Sequence, residues 1–277
     1  MEKDLPDLSG MTKSEMLSLF DLVKEVKTNP GKYSEKLKGK TLLMIFEKPS
    51  LRTRISFEVG MTQLGGHAIY YDLSTSPMGK KETISDTAKT ASRYVDIIMA
   101  RLFSHEHIIE LAKNANVPVI NALTNYSHPC QILTDLFTIR EKKGNLENLK
   151  LAYLGDGNNN VTHSLLFGCA VAGVNISVAC PDGEDYEPLK EVVEKAKELS
   201  KLSGSEIIIT HDAKEAAKDA DVIYTDSWMS YHIPDTQKDE RINKFKPYQV
   251  NLELMALAKR EAIFMNCLPA MREREQT

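Results

Sequence analysis

Apolar and polar positions recur at two different periods along this chain. In TKSEMLSLFDLVKEVK (12–27) the apolar side chains fall three and four apart, so a helix is predicted, capped by Thr12 or Ser14. TLLMIF (41–46) is a short continuous apolar run, the pattern of a strand buried on both faces. A helix is predicted from about Leu51, and HAIYYD (67–72) is the next strand. TISDTAKTASRY (83–94) has helical period and VDIIMA (95–100) reads as strand. EHIIELAKNA and VPVINA repeat that helix–strand order. The pattern then restarts. HPCQILTDLFTIREKKG (128–144) is helical and stops at Gly144, a residue suited to the left-handed position after a helix. LKLAYLG (149–155) is strand, and a helix opens near Asn160. NISVAC (175–180) is strand, EPLKEVVEKAKELSKL (187–202) helix, and EIIIT, DVIYTD and AIFMNC are three more short apolar runs.

Strands alternating with helices predict βαβ units and parallel sheets. The fold class expected is α/β, with two doubly wound domains, each around a central parallel sheet. The first spans 1–135 and the second 148–277, joined through 135–148. In open sheets of this kind ligands bind beyond the carboxyl ends of strands. The chemically rich stretches all stand there: KPSLRTR after 41–46, Arg101 after VDIIMA, NYSHPCQ after VPVINA, GDGNNN after LKLAYL, DSWMSYH after DVIYT and NCLPAMR after AIFM.

Composition narrows the partners. The formal net charge of −4 gives no global field for nucleic acid, so an anionic ligand needs a local cluster. No apolar run approaches the roughly 18 residues of a membrane span, and the polar, acidic start MEKDLPDLSGMTKSEM is unlike a signal peptide. Cys130, Cys169, Cys180 and Cys267 are scattered with no C-x-x-C pair, so neither zinc ligation nor a disulfide framework is expected. A cytoplasmic location is expected on that ground.

Ser50, Arg52, Thr53 and Arg54 lie at a strand-to-helix junction. Free N–H groups and the helix dipole make such a junction an anion site, and arginine adds a planar fork suited to phosphate. The plainer reading is an N-cap serine with solvated arginines. Arg101 alone is a strand-end arginine. His128 and Gln131 stand one helical turn apart, with Pro129 suited to a first turn. Asn160 is a candidate N-cap, Asp226 and Ser230 candidate turn residues, and Cys267 a candidate buried small hydrophobe. GDGNNN also admits a nucleotide-binding reading, but Asn160 stands where G-x-G-x-x-G needs its last glycine.

FEKPSLRTRISFEVGMTQLGGHAIYYD (46–72) resembles the carbamoyl-phosphate motif of the aspartate/ornithine carbamoyltransferase family. HPCQ (128–131), GDGNNN (155–160), DSWMS (226–230) and NCLP (266–269) follow in that family's order, nearer its ornithine-using members. The resemblance covers essentially the whole chain. It implies transfer of a carbamoyl group from carbamoyl phosphate to the δ-amine of ornithine, giving citrulline and phosphate, in arginine biosynthesis or a urea-cycle-type step. It implies no metal and no organic cofactor, and a homotrimer with sites at subunit interfaces. Ser50, Leu51, Arg52 and Thr53 would hold the phosphate. Arg101 would contact both the phosphate and the carbamoyl oxygen, His128 would help it stabilise charge on that oxygen, and Gln131 would orient the carbamoyl NH₂. Asn160, Asp226, Ser230 and Tyr231 would bind ornithine. Cys267 and Leu268 would border the reacting amine, with a Cys267 thiolate–Asp226 pair helping to take its proton. The attacking amine must be neutral, so activity is expected to rise with pH.

The chain departs from the family pattern at four places. Leu51 replaces a threonine; Ser230-Tyr231-His232 replaces Ser-Met-Gly, and Asn266 replaces a histidine. Pro77 stands where a glutamine from a neighbouring subunit is usual, with Lys80 or Lys81 as substitute charge. The family's C-terminal helix does not follow MREREQT, and a version extended by it is expected to be more stable and more active. Two alternatives stay open at this level: a carbamoyltransferase for another amine, such as putrescine or a modified ornithine, and a catalytically impaired paralogue.

Overall fold

In a computed structural model, the structure describes residues 3–75, 78, 81–229 and 233–270. The chain divides into two compact units, Met1–Cys130 and Gln131–Thr277.

The first unit opens with helix α1 (Lys13–Thr28), whose start is a capping box: Thr12 accepts from the Glu15 amide and Glu15 accepts from the Thr12 amide. Strand β1 (Thr41–Phe46), helix α2 (Leu51–Gln63), strand β2 (His67–Asp72), helix α3 (Ile84–Ala91), strand β3 (Ile97–Arg101), helix α4 (His105–Asn114) and strand β4 (Val119–Leu123) follow. The strands pair in parallel in the order β2-β1-β3-β4. Alternate residues of β1 explain the unbroken apolar run. Leu42, Met44 and Phe46 pack with Met61 of α2 on one face. Ile45 packs with Ile84 and Ala88 of α3 and Ile108 and Leu111 of α4 on the other. Both faces are covered, as a parallel sheet requires.

The second unit holds most of α5 (Pro129–Lys143), then β5 (Lys150–Leu154), α6 (Asn160–Ala172), β6 (Asn175–Ala179), α7 (Lys190–Ser203), β7 (Ile207–Thr210), α8 (Ala213–Ala217), β8 (Val222–Thr225), α9 (Lys238–Phe245), α10 (Leu252–Leu257) and β9 (Ile263–Asn266). Its sheet is parallel, in the order β7-β6-β5-β8-β9. Helix α6 is buried on almost every side, with α7 packed against it. On the opposite side Ala152, Leu154 and Ile223 meet the alanines of α8, Phe245 of α9 and Leu254 of α10.

The two α/β halves with parallel sheets match the expectation from periodicity. Short helices α8, α9 and α10 were not anticipated: α8 and α10 run for only five and six residues, too few turns for period to register, and α9 (KDERINKF) carries only two apolar residues. Helix α6 is capped by Asn159, whose side chain accepts from the amides of Val161 and Thr162, so Asn160 is its first helical residue rather than its cap.

Each sheet reverses its strand order once. In the first unit the reversal lies between β1 and β3, whose ends are in register at Phe46 and Arg101. In the second it lies between β5 and β8, in register at Tyr153 and Tyr224. These are the topological switch points, where loops leave in opposite directions and open a crevice at the carboxyl edge.

Candidate active site

At the first switch point Ser50 caps α2. Its Oγ accepts from the Thr53 amide (3.3 Å) and donates to Thr53 Oγ1 (3.0 Å). Arg101 Nη1 also donates to Thr53 Oγ1 (3.4 Å). The plain reading of Ser50 as an N-cap is met, and the cap holds its hydroxyl and that of Thr53 beside the arginine. Leu51 and Arg52, the first residues of α2, are exposed. Arg54 faces elsewhere: it pairs with Glu58 (3.2 Å) one turn on and lies 3.9 Å over the Tyr70 ring.

Sequence reasoning missed Lys48. Its side chain is 6% exposed, its ammonium donates to Asn125 Oδ1 (2.6 Å), and it sits 4.6 Å over the Phe103 ring. Burial, and then repulsion from Arg101, lowers its pKa to about 8. Two buried cations thus repel each other at one helix N-terminus. The available signal was a lysine two residues before the cap, on the carboxyl edge of β1.

His128 immediately precedes α5. Burial and the nearby Arg101 charge hold its pKa down, to about 3. The imidazole is neutral at physiological pH, so it can donate a hydrogen bond without carrying charge. Gln131, in the first turn of α5, donates from Nε2 to Asp135 Oδ1 (3.0 Å).

The second switch point is acidic. Asp226 directly follows β8, and its Oδ1 accepts from the Ser227 amide (2.8 Å). Burial raises it to about 7, against that hydrogen bond and with the help of the Asp156 and Asp135 carboxylates. Asp156, 1% exposed, pairs with the Arg241 guanidinium; burial pushes it up to about 7 while Arg241 pulls it down. Arg241 Nε also donates to the Trp228 carbonyl (2.7 Å), and Trp228 stacks on Phe245 at 5.9 Å. The stem of the loop after β8 is thereby pinned from Asp226 to Trp228. Asp156 had a sequence signal, its place in the GDG loop. Arg241 had none beyond its place one helical turn before Phe245 on a polar helix.

Asn160 is half-buried at the start of α6. Cys267 and Leu268 leave β9, whose last residue Asn266 is in register with Thr225, so they share the carboxyl edge with Asp226. Cys267 is half-buried and Leu268 is 53% exposed. Ser230, Tyr231 and His232 lie outside the described residues, as do Pro77 and Lys80. Lys81 is exposed.

The glycines of the GDG loop serve the protein's own packing. A Cβ on Gly157 would come within 2.6 Å of the Tyr186 carbonyl oxygen and 2.8 Å of Pro188 Cδ. Its smallness is used by the neighbouring chain, which removes the reason to assign it to a pyrophosphate. Among the described residues Asp182, Glu187 and His211 bring potential ligand atoms within 4.8 Å of one another. His211 Nδ1 is hydrogen-bonded to the Cys180 carbonyl (3.0 Å) and Nε2 lies 3.5 Å from a Glu187 carboxylate oxygen, so both ring nitrogens already have partners in the protein.

Residues 3–141 match the carbamoyl-phosphate-binding domain of aspartate/ornithine carbamoyltransferases, and residues 147–277 match the aspartate/ornithine-binding domain. The chain belongs to the aspartate/ornithine carbamoyltransferase family. It is 50% identical to the ornithine carbamoyltransferase of Bacillus subtilis, over 99% of this chain and 84% of that protein. It is 49% identical to a catabolic ornithine carbamoyltransferase of Thermoplasma volcanium, over 96% and 86%. The solved ornithine carbamoyltransferase of Pyrococcus furiosus superposes with a TM-score of 0.93 at 46% identity, covering 99% of this chain and 87% of that one.

Proposed function

We propose that this carbamoyltransferase moves the carbamoyl group of carbamoyl phosphate onto the δ-amine of ornithine, giving citrulline and phosphate. The observation that carries the reading is that the two switch points gather charge of opposite sign. The first gathers Lys48 and Arg101 at the capped N-terminus of α2. The second gathers Asp226 and Asp156. The first suits a phosphate dianion, the second an amino acid that carries ammonium groups.

In this reading Ser50, Leu51, Arg52 and Thr53 hold the phosphate, with backbone amides of α2. Leu51 serves through its backbone alone. Arg101 and neutral His128 donate to the carbamoyl oxygen as the amine attacks and negative charge grows there. Gln131 accepts from the carbamoyl NH₂. Asp226 takes the α-ammonium of ornithine, with Asn160, Ser230 and Tyr231 completing that subsite. Cys267 and Leu268 border the δ-amine, and Cys267 with Asp226 helps to remove its proton. The C–N bond forms, a tetrahedral intermediate collapses, and the C–O bond to phosphate breaks. Much of the rate comes from fixed geometry and preorganised donors.

Residues 1–135 are assigned to carbamoyl phosphate and 148–277 to ornithine. Action in arginine biosynthesis, a cytoplasmic location and a homotrimer belong to the same proposal. None of the four cysteines forms a disulfide among the described residues, which is in keeping with a reducing compartment. Light scattering checks the trimer, and a monomer would contradict it.

The test of the reaction is transfer from carbamoyl phosphate to ornithine, putrescine, acetylornithine and aspartate in parallel. Citrulline from ornithine alone is expected. Preference for another amine would move the specificity to the loop bearing Tyr231 and His232, and no transfer to any would overturn the reading.

A further inference from the structure

The amide of Gln131 has two orientations, and only one presents an acceptor to a carbamoyl NH₂. Asp135, one helical turn on, is 6% exposed and accepts from Gln131 Nε2 through Oδ1. Its other oxygen, Oδ2, accepts from the Tyr224 hydroxyl at 2.8 Å. Tyr224 is wholly buried on β8 and stacks at 6.1 Å with Tyr153 on the neighbouring strand β5. An ionised carboxylate can only accept, so the face of Gln131 turned toward Asp135 must be its NH₂. Oε1 is then left as the outward acceptor.

We propose that Asp135, anchored by Tyr224, is a positioning residue that fixes the amide orientation of Gln131 so that Oε1 receives the carbamoyl NH₂. This rests on the carbamoyl-transfer reading above. Asparagine at 135 is nearly the same shape but carries both a donor and an acceptor. The two orientations of Gln131 then become nearly equivalent, and the productive one is populated part of the time. Misplacement on that scale costs about ten- to a hundredfold in turnover. The anchoring residue also lies on the strand that Asp226 directly follows, so one element supports both the carbamoyl orienter and the amine-side acid.

The test is a double-mutant cycle on the full chain, read as kcat and KM for citrulline formation. Asp135→Asn is expected to lower kcat at least about tenfold, with KM for ornithine changed less than about twofold. Made on a Gln131→Ala background, the same substitution should leave kcat unchanged within about twofold, because the group it orients is gone. Tyr224→Phe should show a smaller loss that also vanishes on that background, and it carries the cycle if Asp135→Asn does not fold. A loss of equal size on both backgrounds, or no loss in either single variant, overturns the proposal while leaving the transfer reading intact. A wild-type chain that forms no citrulline overturns that reading, and the proposal with it.

Discussion

The two halves of this chain solve the same topological problem with opposite charge. Both place their chemistry at the carboxyl edge of a parallel sheet where strand order reverses. In the first, Lys48 and Arg101 are buried side by side, and burial first, with repulsion from Arg101 second, lowers the lysine to about 8. In the second, Asp226 and Asp156 are raised to about 7 and Asp135 to about 6, each chiefly by burial. Like charges gathered in low dielectric cost stability and persist where a ligand of opposite charge repays them. In the proposed reaction the fold sets where each substrate binds, and the sign of the gathered charge sets which one.

Four changes sharpen or break that contrast, from largest effect to smallest. Arg101→Ala should weaken carbamoyl phosphate binding by roughly a hundredfold, the loss expected for buried charge-assisted hydrogen bonds. Titration calorimetry reads it, and binding within threefold of wild type would end the assignment of Arg101. Asp226→Ala should raise KM for ornithine roughly ten- to a hundredfold, since a charged pair is lost. An unchanged KM would remove Asp226 from the amine subsite.

The third concerns pH. Asp226 must be ionised to accept an ammonium, so affinity for ornithine should rise as pH passes upward through about 7. Lys48 loses its charge above about 8, so carbamoyl phosphate should bind more weakly there. Affinity of both ligands moving in the same direction across pH 6 to 9 would contradict the opposed charges. Neutralising one group should remove only its own trend: Asp226→Asn for ornithine, Lys48→Met for carbamoyl phosphate.

The smallest effect is on stability. Asp226 has a folded pKa raised above its unfolded value near 4. The stability this contributes is present below that unfolded value and is lost as pH rises through about 7. At pH 8 Asp226→Asn should therefore raise Tm by about 2–4 °C, while activity falls. A lower Tm at that pH would mean that the carboxylate is better accommodated than its burial implies.

Much of this was legible before any coordinates. The strands of both sheets are short apolar runs because both faces are covered, and that signal is local. Ser50, Arg101 and Asp226 stood out because each follows such a run. Arg54 was misleading: it shares the motif, but helical geometry turns it to Glu58 and Tyr70. Lys48, Asp135 and Arg241 escaped notice for a common reason. Each acquires its role from a partner distant in sequence, Arg101 for Lys48, Tyr224 for Asp135 and Asp156 for Arg241, and spacing along one chain cannot encode those pairings.

The division of labour is tested most directly by titrating carbamoyl phosphate, by calorimetry, into the wild-type chain and its Arg52→Ala and Asp226→Ala variants. The account predicts that Arg52→Ala loses most of the binding while Asp226→Ala keeps it. Binding abolished by Asp226→Ala and intact in Arg52→Ala would contradict it.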